Sequence, residues 1–173
     1  MSAPGQILVA GIGNIFFGDD AFGSEVAAQL RYLNWPAHVR VEDFGIRGYD
    51  LAYALMEAEA AVLIDAVPRG YVPGTVYLIE PSVDNLGDGI IDAHTMNPVA
   101  VLQLVRTLGG TTGRVYLVGC EPAALECSDG QLGLSAPVEE AVCEAVALVE
   151  RIVADLMYNR NPIQPALAAP SRR

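Results

Sequence analysis

The sequence of 173 residues contains no lysine, and all 10 of its basic side chains are arginine, against 21 acidic side chains. The formal net charge is −11 and the sequence pI is about 4.4. A nucleic-acid surface needs clustered cations that displace counterions from phosphates. We therefore expect no nucleic-acid partner, and we interpret the acidic excess as a contribution to solubility.

Cysteine is scarce too. Cys120, Cys127 and Cys143 are odd in number and lack C-x-x-C spacing, which indicates neither a disulfide framework nor a zinc site. Reduced thiols in a cytoplasmic protein explain them better. Cys143 falls next to an apolar helical stripe, so we expect its side chain to be packed.

Long apolar runs are absent as well. None reaches the ~18 residues of a membrane span, and no basic stretch typical of a signal peptide precedes the first apolar run. We therefore predict no membrane partner and a cytoplasmic location. Because hydrophobic residues make up 52% of the chain and the mean hydropathy is +0.33, disorder is excluded for most of it.

Short apolar runs that alternate with amphipathic segments predict one α/β sandwich, mainly parallel, with helices on both faces of the sheet. The link before the fourth strand is brief, which favours an antiparallel orientation for that strand. Residues 1–157 form the predicted domain, and the Pro-, Ala- and Arg-rich tail 158–173 is predicted to be disordered. The predicted strands are 7–10, 38–44, 60–64, 75–79 and 114–119, and the predicted helices are 24–33, 49–56, 97–108 and 135–157.

Three polar segments follow predicted strands or precede a predicted helix, where ligands of open α/β sheets bind. They are the glycine loop 11–20, the strand-end Asp65, and the loop 84–95 with His94. Two carboxylates, from Asp20 and Asp65, and one imidazole would suit a divalent metal ion with open coordination positions. A purely structural role stays open for each residue. Asp20 could cap a helix, Asp65 could be a cap or turn residue, and His94 could be a packed structural histidine.

The glycine loop also allows a different interpretation. Gly11-x-Gly13 after a strand is similar to the opening of a dinucleotide fingerprint, with Asp43 as a ribose acceptor. Phe16 occupies the place of the third glycine, and the adjacent acids at the end of the loop would repel a pyrophosphate. A dinucleotide-binding domain is therefore the main alternative function.

Four motifs lie along the chain in a fixed order. Residues 11–23 read G-I-G-N-x-x-x-G-D-D-x-x-G, Asp65 ends a predicted strand, and His94 opens H-x-x-x-P-x-x-x-L. Glu121-Pro122 is followed by G-L-S at 133–135. Together these motifs resemble the hydrogenase maturation endopeptidases. The resemblance covers nearly the whole chain from residue 7 to about residue 157, and it implies a twisted, mostly parallel five-stranded sheet between two helical layers.

The resemblance also implies an activity. Members of this family remove a C-terminal extension from the precursor of a nickel–iron hydrogenase large subunit, and nickel held by that substrate is the recognition signal. The family's metal-binding residues correspond to Asp20, Asp65 and His94, and Asp43 matches a further motif acid. Where the family usually has threonine, this chain has Ile46, which indicates different substrate contacts.

The expected enzyme is thus a metal-dependent endopeptidase without a serine or cysteine nucleophile, acting as a monomer. Nickel is expected to arrive with the substrate and not to reside in the enzyme. A second alternative is a non-catalytic scaffold that binds the hydrogenase precursor and senses nickel.

Overall fold

The computed structural model describes residues 5–81, 97–123 and 132–158. Within them the chain forms a five-stranded sheet flanked by four α-helices. The strands are β1 (Ile7–Ile12), β2 (Val39–Gly45), β3 (Ala60–Ala66), β4 (Val76–Ile79) and β5 (Arg114–Cys120), and the helices are α1 (Phe22–Leu30), α2 (Gly48–Glu57), α3 (Pro98–Thr107) and α4 (Ala136–Met157).

The strand order is β2-β1-β3-β5-β4. Strands β2, β1, β3 and β5 are parallel, and β4 pairs antiparallel with β5, as predicted from the brief link that precedes it. Strand β2 lies on one side of β1 in the sheet. The chain then crosses back, so that β3 lies on the other side of β1. The carboxyl ends of β1 and β3 therefore flank the switch point of the sheet, where ligands of such folds bind.

Two hydrophobic cores give the sandwich its three layers. Alternate side chains of β3 explain the division: Val62 and Ile64 join the core beneath α1 and α4, and Leu63 joins the core beneath α2 and α3. The apolar stripe of α4 is buried along its whole length, and each of its valine, isoleucine and leucine side chains contributes about 1.5–3 kcal/mol. Its members are Val138, Val142, Ala145, Val149, Ile152 and Leu156.

Some predicted boundaries shift. The first helix begins at Phe22 and ends at Leu30, because a 3₁₀ turn over Gly18–Ala21 leads into it and Leu33 is partly exposed beyond it. The prediction that Cys143 is packed is wrong, since the thiol lies on the exposed side of α4. Among the described residues, no helix combines the length and apolar character needed to cross a membrane. Nearly all of the predicted tail lies outside the described residues.

Candidate active site

A tight turn after β1 holds Asp20 in place. The Asn14 N–H donates to Asp20 Oδ2 at 2.8 Å, and the Asp20 N–H donates to the Phe17 carbonyl at 3.1 Å. Asn14 Oδ1 accepts from the Phe16 N–H at 3.0 Å. Asp20 is partly exposed. These bonds place the Asp20 carboxylate at the carboxyl end of β1. One of its two oxygens accepts a hydrogen bond from the turn itself.

Glycine at position 13 is what allows this turn to close. Gly13 has φ 142°, a conformation that L side chains rarely adopt, and a Cβ there would lie 1.7 Å from the Asp20 carbonyl oxygen. The Gly13 N–H donates to the Gly45 carbonyl at 3.0 Å, which joins this turn to the end of β2. The glycine loop is therefore explained first by close backbone approach.

Asp65 lies inside β3, one residue before its end, and is 3% exposed. Burial raises the pKa of its carboxyl well above the ordinary value, the negative charge of Asp20 raises it further, and a hydrogen bond from the Ala66 N–H lowers it. The structure thus brings Asp65 and Asp20 close enough for their charges to interact.

Asp20, like Asp65, has a raised pKa. Burial also raises the pKa of Asp20, opposed by the hydrogen bond from Asn14. Two carboxylates that repel each other at a sheet edge are stabilised by a cation or by a shared proton. Shifted carboxyls at such an edge are also suited to general acid–base chemistry.

Asp43, the third predicted acid, faces the opposite side of the sheet. It lies two residues after Val41, which packs against the α1–α4 core, whereas Asp65 alternates with Ile64 of that same core. Its Oδ1 accepts from Ser24 Oγ and from the Gly45 N–H, both at 2.9 Å. These contacts tie the end of β2 to α1.

The contacts of Asp43 lead to a stability prediction. Asp43→Ala is expected to lower the free energy of unfolding by about 1–3 kcal/mol, because the buried Ser24 hydroxyl and the Gly45 N–H lose their acceptor. Urea denaturation measures this, with Ser24→Ala as the smaller companion change. Unchanged stability with lost activity would instead place Asp43 in the chemistry.

His94 lies outside the described residues. The helix that follows it, predicted over 97–108, is α3: Asn97 caps it, with Oδ1 accepting from the Ala100 N–H at 2.8 Å, and Pro98 occupies the first turn. Helix α3 packs on the face of the sheet where Asp65 lies. In the part of the chain that the structure describes, no three His, Cys, Asp or Glu side chains cluster to hold a metal ion.

Asp19 has a role that the sequence did not reveal. It is 2% exposed, and its carboxylate accepts from the Ala123 N–H at 2.8 Å, the Ser135 N–H at 2.7 Å and Ser135 Oγ at 2.9 Å. Asp19 therefore clamps both ends of the β5–α4 connection to the turn that carries Asp20. The Ser135 hydroxyl makes no capping bond to α4, although the residue stands at the cap position.

Glu121 holds the segment that follows β3 through hydrogen bonds to its backbone. Its buried carboxylate accepts from the Arg69 N–H at 2.6 Å and from the Gly70 N–H at 3.3 Å. The Tyr77 hydroxyl donates to the Val67 carbonyl, and burial raises the pKa of that tyrosine. Buried Cys120, whose pKa burial raises to about 12, is a poor nucleophile here.

The dinucleotide alternative fits this geometry poorly. The N–H groups of Gly13 and Asn14, which would have to face a pyrophosphate, already donate to Gly45 and to Asp20. The latter acceptor is itself a carboxylate, so the turn offers negative charge where a phosphate requires positive potential.

Comparison with known proteins agrees with the geometry. A family model described as hydrogenase maturation protease matches residues 25–152. The hydrogenase expression/formation protein HupD of Rhodobacter capsulatus is 32% identical over 150 residues, which cover 83% of this chain and 70% of that protein.

Solved structures show the same likeness. A hydrogenase 2 maturation peptidase of a Thaumarchaeota archaeon is 31% identical with a TM-score of 0.66, covering 86% of this chain and 98% of the other. The hydrogenase maturating endopeptidase HybD of Escherichia coli is 25% identical with a TM-score of 0.71, covering 93% and 98%. The chain belongs to the hydrogenase maturation protease family.

Proposed function

We propose that this protein is an endopeptidase that removes a C-terminal extension from the precursor of a nickel–iron hydrogenase large subunit, with nickel in that precursor as the recognition signal. The observation that carries the proposal is the pair formed by Asp20 and Asp65 at the switch point of the sheet, one partly exposed and one buried. The family to which the chain belongs supplies the reaction class.

The two carboxylates fit a nickel ion presented by a substrate. Each has a pKa raised by burial, and the charge of Asp20 raises that of Asp65, so a cation between them would relieve the repulsion. A neutral imidazole from His94 would complete a mixed oxygen and nitrogen ligand set, which is suitable for a borderline metal. Three such ligands need not hold nickel in the absence of substrate.

Two chemical roles are compatible with this set. The bound metal would polarise the scissile carbonyl or lower the pKa of a water molecule. Alternatively it would only fix the position of the substrate, and one of the two aspartates would act as general base toward water. In both cases water cleaves the peptide bond, and no acyl-enzyme on serine or cysteine is formed.

The decisive experiment compares nickel-loaded with nickel-free precursor. Incubation with this protein followed by intact-mass measurement is expected to show loss of the C-terminal peptide from the nickel-loaded precursor only. Cleavage of both forms at the same rate would refute nickel as the signal and favour a peptidase of general specificity.

Variants test the site residues in the same assay. His94→Ala and Asp20→Ala are expected to fold, as judged by circular dichroism, and to lose cleavage of the nickel-loaded precursor by about 10²–10⁴-fold. Full cleavage by both variants would remove the proposed site. Complex formation by the wild-type protein without any loss of the peptide would favour the non-catalytic scaffold.

We place the reaction in the cytoplasm, consistent with the free thiols of Cys120 and Cys143. We propose a monomeric enzyme, whose mass in solution light scattering would correspond to 18.3 kDa. A stable dimer at working concentration would overturn that point.

A further inference from the structure

Two turns beside the proposed catalytic carboxylates expose large apolar side chains. The turn between β1 and Asp20 carries Ile15, Phe16 and Phe17, and Phe16 is 61% exposed. The turn between β2 and α2 carries Ile46, which is 62% exposed. Together with two exposed tyrosines of α2 they form what we call the apolar patch: Ile15, Phe16, Phe17, Ile46, Tyr49 and Tyr53.

The two turns belong to one surface. The Gly13 N–H donates to the Gly45 carbonyl at 3.0 Å, so the residues that follow each glycine leave the sheet side by side. Tyr49 and Tyr53 are four residues apart in α2 and share one helix face. The two turns therefore begin next to each other at the carboxyl ends of β1 and β2, and the first of them leads directly to Asp20.

Both turns are held in shape by their own hydrogen bonds. Asn14 fixes the first, through its Oδ1 to the Phe16 N–H and its carbonyl to the Phe17 N–H. Arg47 fixes the second, with Nη2 donating to the Asp43 carbonyl at 2.7 Å. Apolar side chains on preordered turns lose little conformational entropy when a partner covers them, which is typical of binding anchors.

Charged groups flank the second turn of the patch and are paired with one another. Arg47 forms ion pairs with Glu42 and Asp50, and Arg40 pairs with Glu42. An apolar centre with a satisfied polar border is the usual composition of a protein–protein interface. Self-paired charges offer no strong attraction to a charged ligand, so an apolar partner surface fits best.

We propose that the apolar patch is the docking surface for the folded body of the protein substrate, which contacts it through an apolar area next to the segment that is cut. The inference rests on the proposed function. The turn that presents Asp20 also presents Ile15, Phe16 and Phe17, so a protein whose scissile bond reaches that carboxylate must lie against them. Ile46, on the second turn, then contributes to the choice of substrate.

The test uses the nickel-loaded precursor and two variants on separate turns, Phe16→Ser and Ile46→Ser. Each is expected to raise KM for cleavage at least tenfold with kcat changed less than twofold, and to weaken binding of the precursor, measured by biolayer interferometry, by the same factor. Tyr32→Ser is the matched control, because Tyr32 is 90% exposed and lies two residues beyond the C-terminal end of α1. It should leave both values unchanged.

The outcomes separate this inference from the proposed function. Binding that the patch variants weaken, without any cleavage by the wild-type protein, would support docking and refute the endopeptidase. Cleavage with wild-type KM in both variants would refute docking alone, as would a loss of kcat at unchanged KM. A wild-type dimer that becomes a monomer on Phe16→Ser would make the patch a self-association surface and overturn the proposal.

Discussion

Asp65→Asn is expected to abolish cleavage of the precursor and, at the same time, to raise the melting temperature at neutral pH. The carboxyl of Asp65 is buried inside β3, its pKa is raised by burial and by the charge of Asp20, and ionising it there costs free energy. Asparagine keeps the size and still accepts from the Ala66 N–H. Removal of a functional group that destabilises the fold commonly raises the free energy of unfolding by about 0.5–2 kcal/mol. For a chain of this length the melting temperature then rises by roughly 1–8 °C.

The pH dependence of this gain has a definite sign. Because the folded pKa of Asp65 exceeds the ordinary value of 3.8, the folded state binds more protons than the unfolded state between the two values. Wild-type stability attributable to this group therefore falls as pH rises through that window. The advantage of Asp65→Asn should vanish below about pH 3.8, grow as pH rises, and become constant above the folded pKa.

Thermal denaturation by circular dichroism from pH 3 to pH 8, with intact-mass assays at pH 7, measures both effects. Asp155→Asn is a suitable control, since that residue lies on α4 away from the site. A variant that is less stable than wild type at pH 7 would mean that other groups of the folded protein already stabilise the Asp65 carboxylate, so that the pair would not need a cation.

Asp19→Ala is expected to give the largest loss of stability, about 3–5 kcal/mol. The change removes an acceptor for the N–H groups of Ala123 and Ser135 and for the Ser135 hydroxyl. A typical domain is stable by only 5–15 kcal/mol, so a large share of the total is at stake. Equilibrium unfolding in urea, at constant m-value, measures the difference.

Ser135→Ala provides the graded control for this prediction. It removes the hydroxyl donor and leaves both backbone bonds to Asp19, so a loss of about 1 kcal/mol is expected. Equal losses in the two variants would show that the backbone bonds contribute nothing. A stable but inactive Asp19→Ala protein would place Asp19 in the chemistry and not in the clamp.

Local patterns were sufficient to predict most elements of this fold. The apolar runs of β1 and β3 are buried, Asn97 caps α3, and the stripe of α4 faces the core. Each of these depends on side-chain periodicity or on a capping bond within a few residues. The antiparallel orientation of β4 was predicted correctly from the short connection between β3 and β4.

The roles of individual polar residues depended on distant partners. Ser135 stands at a cap position, but its hydroxyl bonds to Asp19, 116 residues earlier in the chain. Asp43 and Asp65 both lie near the carboxyl ends of their strands, yet the alternation of each strand directs them to opposite faces of the sheet. Cys143 follows the stripe in sequence and still lies outside it, because a one-residue step on a helix rotates a side chain by about 100°.

By itself, the sequence determined the order of strands and helices, the acids at strand ends and the likeness to a family of proteases. Only the tertiary structure decided that Asp20 and Asp65 interact, that Asp19 is a clamp, and that the apolar patch lies beside the site. The physical reason is the crossover from β2 back to β3, which brings the ends of β1 and β3 together although they are far apart along the chain.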